Sequence, residues 1–186
     1  MLQIIGGKLK RKKLNAPKGL LTRPTSSRLR ETLFNICQFE VQDARFLDLF
    51  SGSGAMGIEA LSRGAKSAVM VDNDRESVRC IQHNIASLEL SDCARVILGE
   101  VIDQLPKLGI FDLIYADPPY LEKKGDFSYS AEVLKYVDQS DLLASGGMLF
   151  IEDSKIWEPE EQSLKKLQLK SSRKVGRSVL HQFIER

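Results

Sequence analysis

An apolar strand that runs into a glycine-rich turn and then into a helical pattern constrains the fold of this chain most. The segment is LDLFSGSGAMGIEAL, residues 47–61. Gly52 and Gly54 allow a tight bend and let a ligand approach the backbone, and Gly57 allows a helix to pack closely on a strand. The free N–H groups that begin the helix suit an anionic part of a ligand. The segment therefore predicts a ligand-binding turn at the end of a buried strand.

From Arg45 onward, strand patterns alternate with helical patterns. We predict strands at 45–50, 67–72, 94–98, 111–116 and 148–152, helices at 55–63, 75–88 and 130–138, and a final pair of strands at Leu167–Val175 and Ser178–Ile184. This order predicts an α/β, Rossmann-like fold. Its seven-stranded sheet is mostly parallel and doubly wound, ends in an antiparallel pair, and places ligands at the carboxyl ends of its strands.

The glycine turn fits two cofactors. Gly52, Gly54 and Gly57 satisfy the dinucleotide pattern G-x-G-x-x-G, and Asp72 is an acid at a strand end about 20 residues later, which suits a ribose diol. S-adenosylmethionine fits the same features. Asp48 lies inside the first strand, where its carboxylate would attract the cationic amino group of a methionine moiety and repel a pyrophosphate. Asp48 therefore favours S-adenosylmethionine, although a carboxylate that only stabilises the turn is an alternative.

The second motif is Asp117-Pro118-Pro119-Tyr120, directly after the strand at 111–116. The lone pair of an NH2 group on a base or an amide is delocalised, so this nitrogen attacks a methyl donor poorly until acceptors hold its two N–H groups. Asp117 and a nearby carbonyl can supply both acceptors, and the two prolines fix φ and carry no competing N–H. Tyr120 offers a face on which a base can stack. Asp-Pro-Pro also ends ordinary strands, but beside the glycine turn it favours methylation of an NH2 group.

Charge is unevenly distributed. Nine of the 27 Lys and Arg lie in residues 1–30, which contain no Asp or Glu, so residues 31–186 hold all 25 acidic residues and the other 18 basic ones. Such a run is often only a solvated face. Beside an amine-methylating site it favours a phosphate-rich substrate, because neutralised phosphates release counterions. The candidate RNA-binding residues of this segment are Lys8, Lys10, Arg11, Lys12, Lys13, Arg23, Arg28 and Arg30.

These motifs resemble the RsmD family of bacterial ribosomal RNA methyltransferases. The resemblance covers nearly the whole chain and includes IIGGK at residues 4–8 and TRPTSSRLRETLFN at residues 22–35. It implies methyl transfer from S-adenosylmethionine to N2 of a guanine in 16S rRNA, by family usage guanine 966 of the small ribosomal subunit. It implies catalytic roles for Asp117, Pro118 and Tyr120, and cofactor contacts around Asp48, Phe50, Gly52, Gly54, Asp72, Asn73 and Asp117.

Two further positions are candidates. Glu100 stands where many S-adenosylmethionine enzymes place an Asp that meets the adenine amino group. The loop Leu121–Ser128 follows the catalytic motif, and it either closes over a flipped base, with Phe127 stacking on it, or is a mobile surface loop.

We predict two units: a basic extension at 1–40 that packs on a catalytic domain at 41–186. In the extension, Leu2–Ile5 and Lys8–Leu14 predict a hairpin turned at Gly6-Gly7. A helix after Pro24 would turn Leu29, Leu33 and Ile36 to the core, and Arg28 and Arg30 to other faces.

The three Cys and two His lack metal-ligand spacing, so we expect no metal. No apolar run approaches a membrane span and no secretory segment is present, so we expect a cytoplasmic monomer without membrane contact. Two other functions fit the motifs: N-methylation of DNA adenine, DNA cytosine or a protein amide, and a non-catalytic RNA-binding assembly factor on the same scaffold.

Overall fold

The computed structural model describes residues 2–17, 26–120 and 127–186. Its strands are β1 (Arg45–Leu49), β2 (Ser67–Asp72), β3 (Ala94–Leu98), β4 (Phe111–Ala116), β5 (Leu143–Ser154), β6 (Leu167–Val175) and β7 (Ser178–Glu185). They form a seven-stranded sheet in the order β3-β2-β1-β4-β5-β7-β6. Strands β1 to β5 pair in parallel, and β7 runs antiparallel to both β5 and β6. The predicted fold class is confirmed.

Helices cover both faces of the sheet. They are α1 (Ser27–Ile36), α2 (Ala55–Ser62), α3 (Arg75–Ser87), α4 (Val101–Gln104) and α5 (Tyr129–Gln139). Met56 and Ile81 of α2 and α3 belong to the apolar cluster on one face, whereas Val101 and Val133 of α4 and α5 belong to the cluster on the other. Because helices cover both faces of the sheet, the side chains of the central strands are buried on both sides, and these strands are almost continuously apolar. Among the described residues, no helix is long and apolar enough to cross a membrane.

Strand β5 begins five residues before its predicted start. Leu143 pairs with Phe111 of β4, the register then shifts, and regular pairing resumes at Met148 with Leu113. Gly146 and Gly147 occupy this irregular stretch, which is why it does not look like a strand in the sequence. The four-residue helix α4 and the 3-10 turns at 105–107 and 161–163 were also not predicted, because they are too short to give a periodic pattern.

The N-terminal segment is hairpin-like but does not form the predicted pair of strands. Gln3 and Lys13 form an isolated antiparallel bridge, and the chain turns over residues 6–11. The N–H groups of Ile5 and Gly6 donate to the Glu59 carboxylate of α2, at 2.9 and 2.7 Å, instead of to a partner strand. Helix α2 thereby holds the segment against the sheet domain, while the boundary at residue 40 stays a prediction.

Glu59 also corrects the prediction for Arg30. Its side chain is fully buried, and it accepts from Arg30 Nη1 at 3.3 Å and from Arg63 Nε at 2.9 Å. Arg30 is itself only 2% exposed and donates through Nη2 to the carbonyl of Gln3 at 3.0 Å. The prediction that Arg30 lies on a face away from the core is wrong, and its burial against this carboxylate does not fit the predicted contact with RNA.

Replacement of Glu59 by Ala should lower the free energy of unfolding by about 3–5 kcal/mol. The substitution leaves the buried Arg30 guanidinium and two backbone N–H groups without their acceptor. The control is Glu76→Ala, which removes the exposed Arg79 pair and should cost less than about 1 kcal/mol. Urea denaturation measures both, and equal losses would contradict a structural role for the Glu59 cluster.

Candidate active site

The two sequence motifs meet at one edge of the sheet. Leu49 of β1 pairs with Ala116 of β4, and the N–H of Asp117 donates to the Leu49 carbonyl at 3.3 Å. Adjacent strands lie about 4.8 Å apart. The chain position after β4, where Asp117 stands, is therefore next to Phe50 and the glycine turn that follows β1.

Asp48 lies beneath this turn and is 1% exposed. Its Oδ2 accepts from the N–H of Gly57 at 2.9 Å, so the carboxylate does stabilise the turn. Burial raises the pKa of Asp48 to about 7, the Gly57 N–H opposes this shift, and the nearby Asp72 adds to it. Among the described residues, no Lys, Arg or His forms an ion pair with Asp48. A cationic ligand group beside it would meet an uncompensated carboxylate.

Asp72 holds the same turn from β2. Its Oδ2 accepts from the N–H of Gly52 at 2.7 Å, and its Oδ1 accepts from the N–H of Asp74 at 2.9 Å. Burial raises the pKa of Asp72. Asn73 and Glu100, which were both predicted to contact the cofactor, also lie close together. Asn73 Nδ2 donates to Glu100 Oε1 at 2.8 Å on the exposed surface.

The glycine turn leaves space for a ligand on one side and none on the other. A Cβ added at Gly52 would meet no atom within 4 Å, whereas one at Gly57 would lie 2.8 Å from Met70 Cγ. Phe50 has a positive φ of 60°, which is uncommon for a bulky residue and marks a constrained turn. Open space above the turn, with Asp48 inside β1 and Asp72 at the end of β2, fits S-adenosylmethionine better than a pyrophosphate.

Tyr120 is 43% exposed, and its hydroxyl donates to Glu152 Oε1 at 3.0 Å. Asp117 is half-buried and Pro118 is buried. Burial and the carboxylates of Glu152 and Asp117 raise the pKa of Tyr120. Its hydroxyl therefore stays protonated and remains a donor.

Glu152 is the site residue that the sequence analysis missed. It lies near the carboxyl end of β5, is 7% exposed, and accepts from the hydroxyls of Tyr115 at 2.6 Å, Ser178 at 2.6 Å and Tyr120. The available signal was an acid after the apolar run Leu149–Ile151, at the same edge as Asp117. Glu152 links β4, β5 and β7 and holds the hydroxyl of Tyr120.

Aromatic rings extend from the turn after β1. The ring of Tyr129, the first residue of α5, lies 5.5 Å from that of Phe50 and 5.0 Å from that of Phe127, in both cases edge to face. Phe127 is exposed. Residues 121–126 of the predicted lid lie outside the described residues, and stacking of Phe127 on a base stays a prediction.

Asn84, which the sequence analysis also missed, connects the N-terminal segment to the glycine turn. Its Oδ1 accepts from the N–H of Asn15 at 2.9 Å, and its Nδ2 donates to the carbonyls of Asn15 at 3.0 Å and Ser53 at 3.3 Å. The side chain is buried on α3. The end of the described N-terminal segment therefore lies beside the turn.

Most of the predicted RNA-binding residues lie on the surface. Exposed positions in the described chain are Lys8, Lys10, Arg11, Lys12, Lys13 and Arg28. Arg23 lies outside the described residues, and Arg30 is buried against Glu59. Within the described ranges, no group of three or more His, Cys, Asp and Glu is placed to hold a metal ion.

Comparisons with known proteins agree on the family. A family model described as Conserved hypothetical protein 95 matches residues 2–184. Ribosomal RNA small subunit methyltransferase D of Escherichia coli (strain K12) is 34% identical over 152 residues, which cover 81% of this chain and 74% of that protein. YlbH of Bacillus subtilis (strain 168) is 34% identical over 164 residues, 86% of each chain. The solved structure of yhhF from Escherichia coli has a TM-score of 0.85 and 31% identity, and the similarity covers 99% of this chain and 97% of that one.

Replacement of Glu152 by Ala should lower the free energy of unfolding by about 1–3 kcal/mol, because the buried hydroxyl of Tyr115 loses its acceptor. The loss should shrink when Tyr115→Phe is already present, since that variant has no hydroxyl to leave unpaired. Urea denaturation of the two single variants and the double variant measures the coupling. Additive losses would contradict the hydrogen bond as the cause.

Proposed function

Because the chain belongs to the RsmD family, whose model is described as Conserved hypothetical protein 95, we propose that it transfers a methyl group from S-adenosylmethionine to N2 of a guanine in 16S rRNA. The coarser conclusion, an rRNA methyltransferase that uses S-adenosylmethionine, follows from the family and from its relatives. The identity of the base as guanine, N2 as the acceptor atom and position 966 in the rRNA are proposed from the family resemblance. The observation that carries the proposal is the hydrogen bond that places Asp117 beside the glycine turn.

Residues of the turn would hold the cofactor by charge and shape. S-adenosylmethionine, when bound, supplies an electrophilic methyl group on a sulfonium. Asp48 would face its amino group, Asp72 would face the ribose hydroxyls, and the backbone at Gly52 leaves room for close approach. Asn73 and Glu100, paired with each other, would lie toward the adenine.

Asp117 would orient the acceptor amine. Its carboxylate accepts one N–H of the NH2 group and a carbonyl of the neighbouring backbone accepts the other, which points the nitrogen lone pair at the methyl group. Asp117 need not be a strong base, because the amine becomes acidic as it is alkylated. The rate gain comes from positioning and from preorganised negative charge.

Tyr120 would stack on the guanine, and the hydrogen bond from the Tyr120 hydroxyl to Glu152 would fix the position of the ring. The exposed cations of the N-terminal segment would neutralise RNA phosphates, and the Asn84 contact with Asn15 ties that segment to the cofactor turn. The small ribosomal subunit as partner, a monomeric state, and a cytoplasmic location belong to the same proposal.

The test is methylation by the purified protein with radiolabelled S-adenosylmethionine. The substrates are small ribosomal subunits from cells that lack this activity, naked 16S rRNA, duplex DNA and a glutamine-containing protein substrate. We expect label in N2-methylguanosine. Label in adenine, cytosine or a protein amide would overturn the assignment of guanine but would still support N-methylation. Binding of the cofactor without any label would favour the non-catalytic assembly factor.

In that assay, Asp117→Ala should lower kcat by about 10²–10³-fold, because an acceptor that orients the amine is removed. Its affinity for S-adenosylmethionine should stay near that of the wild type. The matched control is Asp112→Ala, at the other end of β4, where the carboxylate pairs with Arg45. This variant should keep its turnover. Full activity of Asp117→Ala would contradict the proposed role.

Affinity for S-adenosylmethionine should rise with pH toward about 7. The raised pKa means that Asp48 is mostly neutral at pH 6, and a cationic ligand favours its ionised form. Well below that pKa, affinity should change by up to about tenfold per pH unit. The rise should end near pH 7.5, where an α-amino group with a pKa of about 7.7–8.0 begins to lose its own charge.

Calorimetric titration at several pH values measures this affinity. Asp48→Asn keeps an acceptor for the Gly57 N–H but cannot ionise, so its weaker affinity should not rise over the same range. An identical pH dependence in the two proteins would show that Asp48 does not face the amino group.

A further inference from the structure

A second basic surface lies at the end of the chain, outside the N-terminal segment. Lys155 directly follows β5, Lys174 is the next-to-last residue of β6, and Arg177 is in the two-residue turn between β6 and β7. All three side chains are exposed. We call these three residues the β6–β7 turn surface. Gly176 begins the turn with a φ of 65°, the left-handed conformation that the first central residue of a type II′ hairpin adopts.

The turn surface lies at the same edge of the sheet as the candidate active site. Ser154 at the end of β5 pairs with Ser178 at the start of β7, and Val175 pairs with the same Ser178. The Ser178 hydroxyl donates to Glu152, which also accepts from Tyr120. A continuous series of hydrogen bonds therefore leads from the turn to the residue proposed to stack on the base.

Two of the positive charges of this surface lie close to each other. The Lys174 ammonium lowers the pKa of Lys155, because a hydrogen bond donated by Lys174 favours the neutral amine of Lys155 and the charge of Lys174 disfavours its protonated form. Within the described part of the chain, none of the three residues forms an ion pair. Two adjacent ammonium groups without a carboxylate partner are unfavourable for the isolated protein, and a polyanion would relieve their repulsion.

The geometry of in-line transfer indicates on which side of Asp117 the acceptor base would lie. The cofactor residues follow β1, β2 and β3, on one side of Asp117 in the strand order. With the cofactor held by those residues, in-line attack would bring the nitrogen from the other side of Asp117, over β5 and β7. From β4 to β6 there are three strand spacings of about 4.8 Å, or roughly 15 Å. The turn surface is therefore within reach of nucleotides that flank a base bound at Tyr120.

We propose that the β6–β7 turn surface binds backbone phosphates of the substrate RNA next to the target nucleotide. The N-terminal cations and the turn surface then hold the RNA at two separate places, with the target base between them at Asp117. This inference rests on the proposed function for the identity of the RNA. It adds a substrate-binding surface that the basic N-terminal segment does not include.

The experiment compares two triple variants with equal loss of charge. Lys155→Gln, Lys174→Gln and Arg177→Gln together neutralise the turn surface. In the control, Lys107→Gln, Lys135→Gln and Lys165→Gln neutralise exposed lysines that lie outside both basic surfaces. For each protein we would measure KM and kcat with 16S rRNA, calorimetric affinity for S-adenosylmethionine, and RNA affinity as a function of salt.

The turn variant should raise KM for RNA by at least about tenfold and reduce the salt slope by about 2–3, because each lost phosphate contact with a single strand removes about 0.7 and with a duplex about 0.9. Its kcat at saturating RNA and its affinity for the cofactor should match those of the wild type. The control variant should change neither the KM nor the salt slope.

Two results would overturn the proposal that the turn surface binds phosphates. The first is a turn variant whose KM for RNA and salt slope equal those of the wild type. The second is an equal change of KM and salt slope in both variants, which would show a general effect of charge. If the wild type does not methylate 16S rRNA, the proposed function fails separately. RNA binding and its salt slope in the same three proteins still decide whether the turn surface contacts the phosphates.

Discussion

The parallel pairing of β1 with β4 is the constraint on which the site depends. Parallel strands end at the same edge, so the glycine turn after β1 and Asp117 after β4 are adjacent although about 65 residues separate them in the sequence. The hydrogen bond between Asp117 and Leu49 fixes this relation in the backbone. Because the sheet sets the distance between Asp117 and the glycine turn, the side chains at this edge need only supply charge.

Charge is segregated around that edge. Asp48, Asp72, Asp117 and Glu152 lie at the centre, where the proposed reaction would need acceptors for a cationic cofactor and an NH2 group. The exposed cations lie farther out, on the N-terminal segment and on the β6–β7 turn surface, where phosphates would pass. An acidic centre alone would repel a polyanion, and the separation lets one small domain accommodate both a cation and a nucleic acid.

The sequence predicted what depends on local pattern. Apolar runs located the strands, and two motifs identified Asp48, Asp72 and Asp117 as residues of one edge. Pairings between distant residues were not predictable. The helical pattern that put Arg30 on the surface contains no information about Glu59, 29 residues away. Glu152 was missed for the same reason, since its role appears only once Tyr115, Tyr120 and Ser178 are assembled around it.

The position of β7 makes the surroundings of Tyr120 depend on a strand late in the sequence. Residues 178–185 lie between β5 and β6 rather than at the edge of the sheet. The Ser178 hydroxyl reaches Glu152 only when β7 is paired with β5. The hydrogen bonds that hold Tyr120 are therefore a long-range feature of the fold, whereas the contact between Asp117 and Leu49 needs only the pairing of β1 with β4.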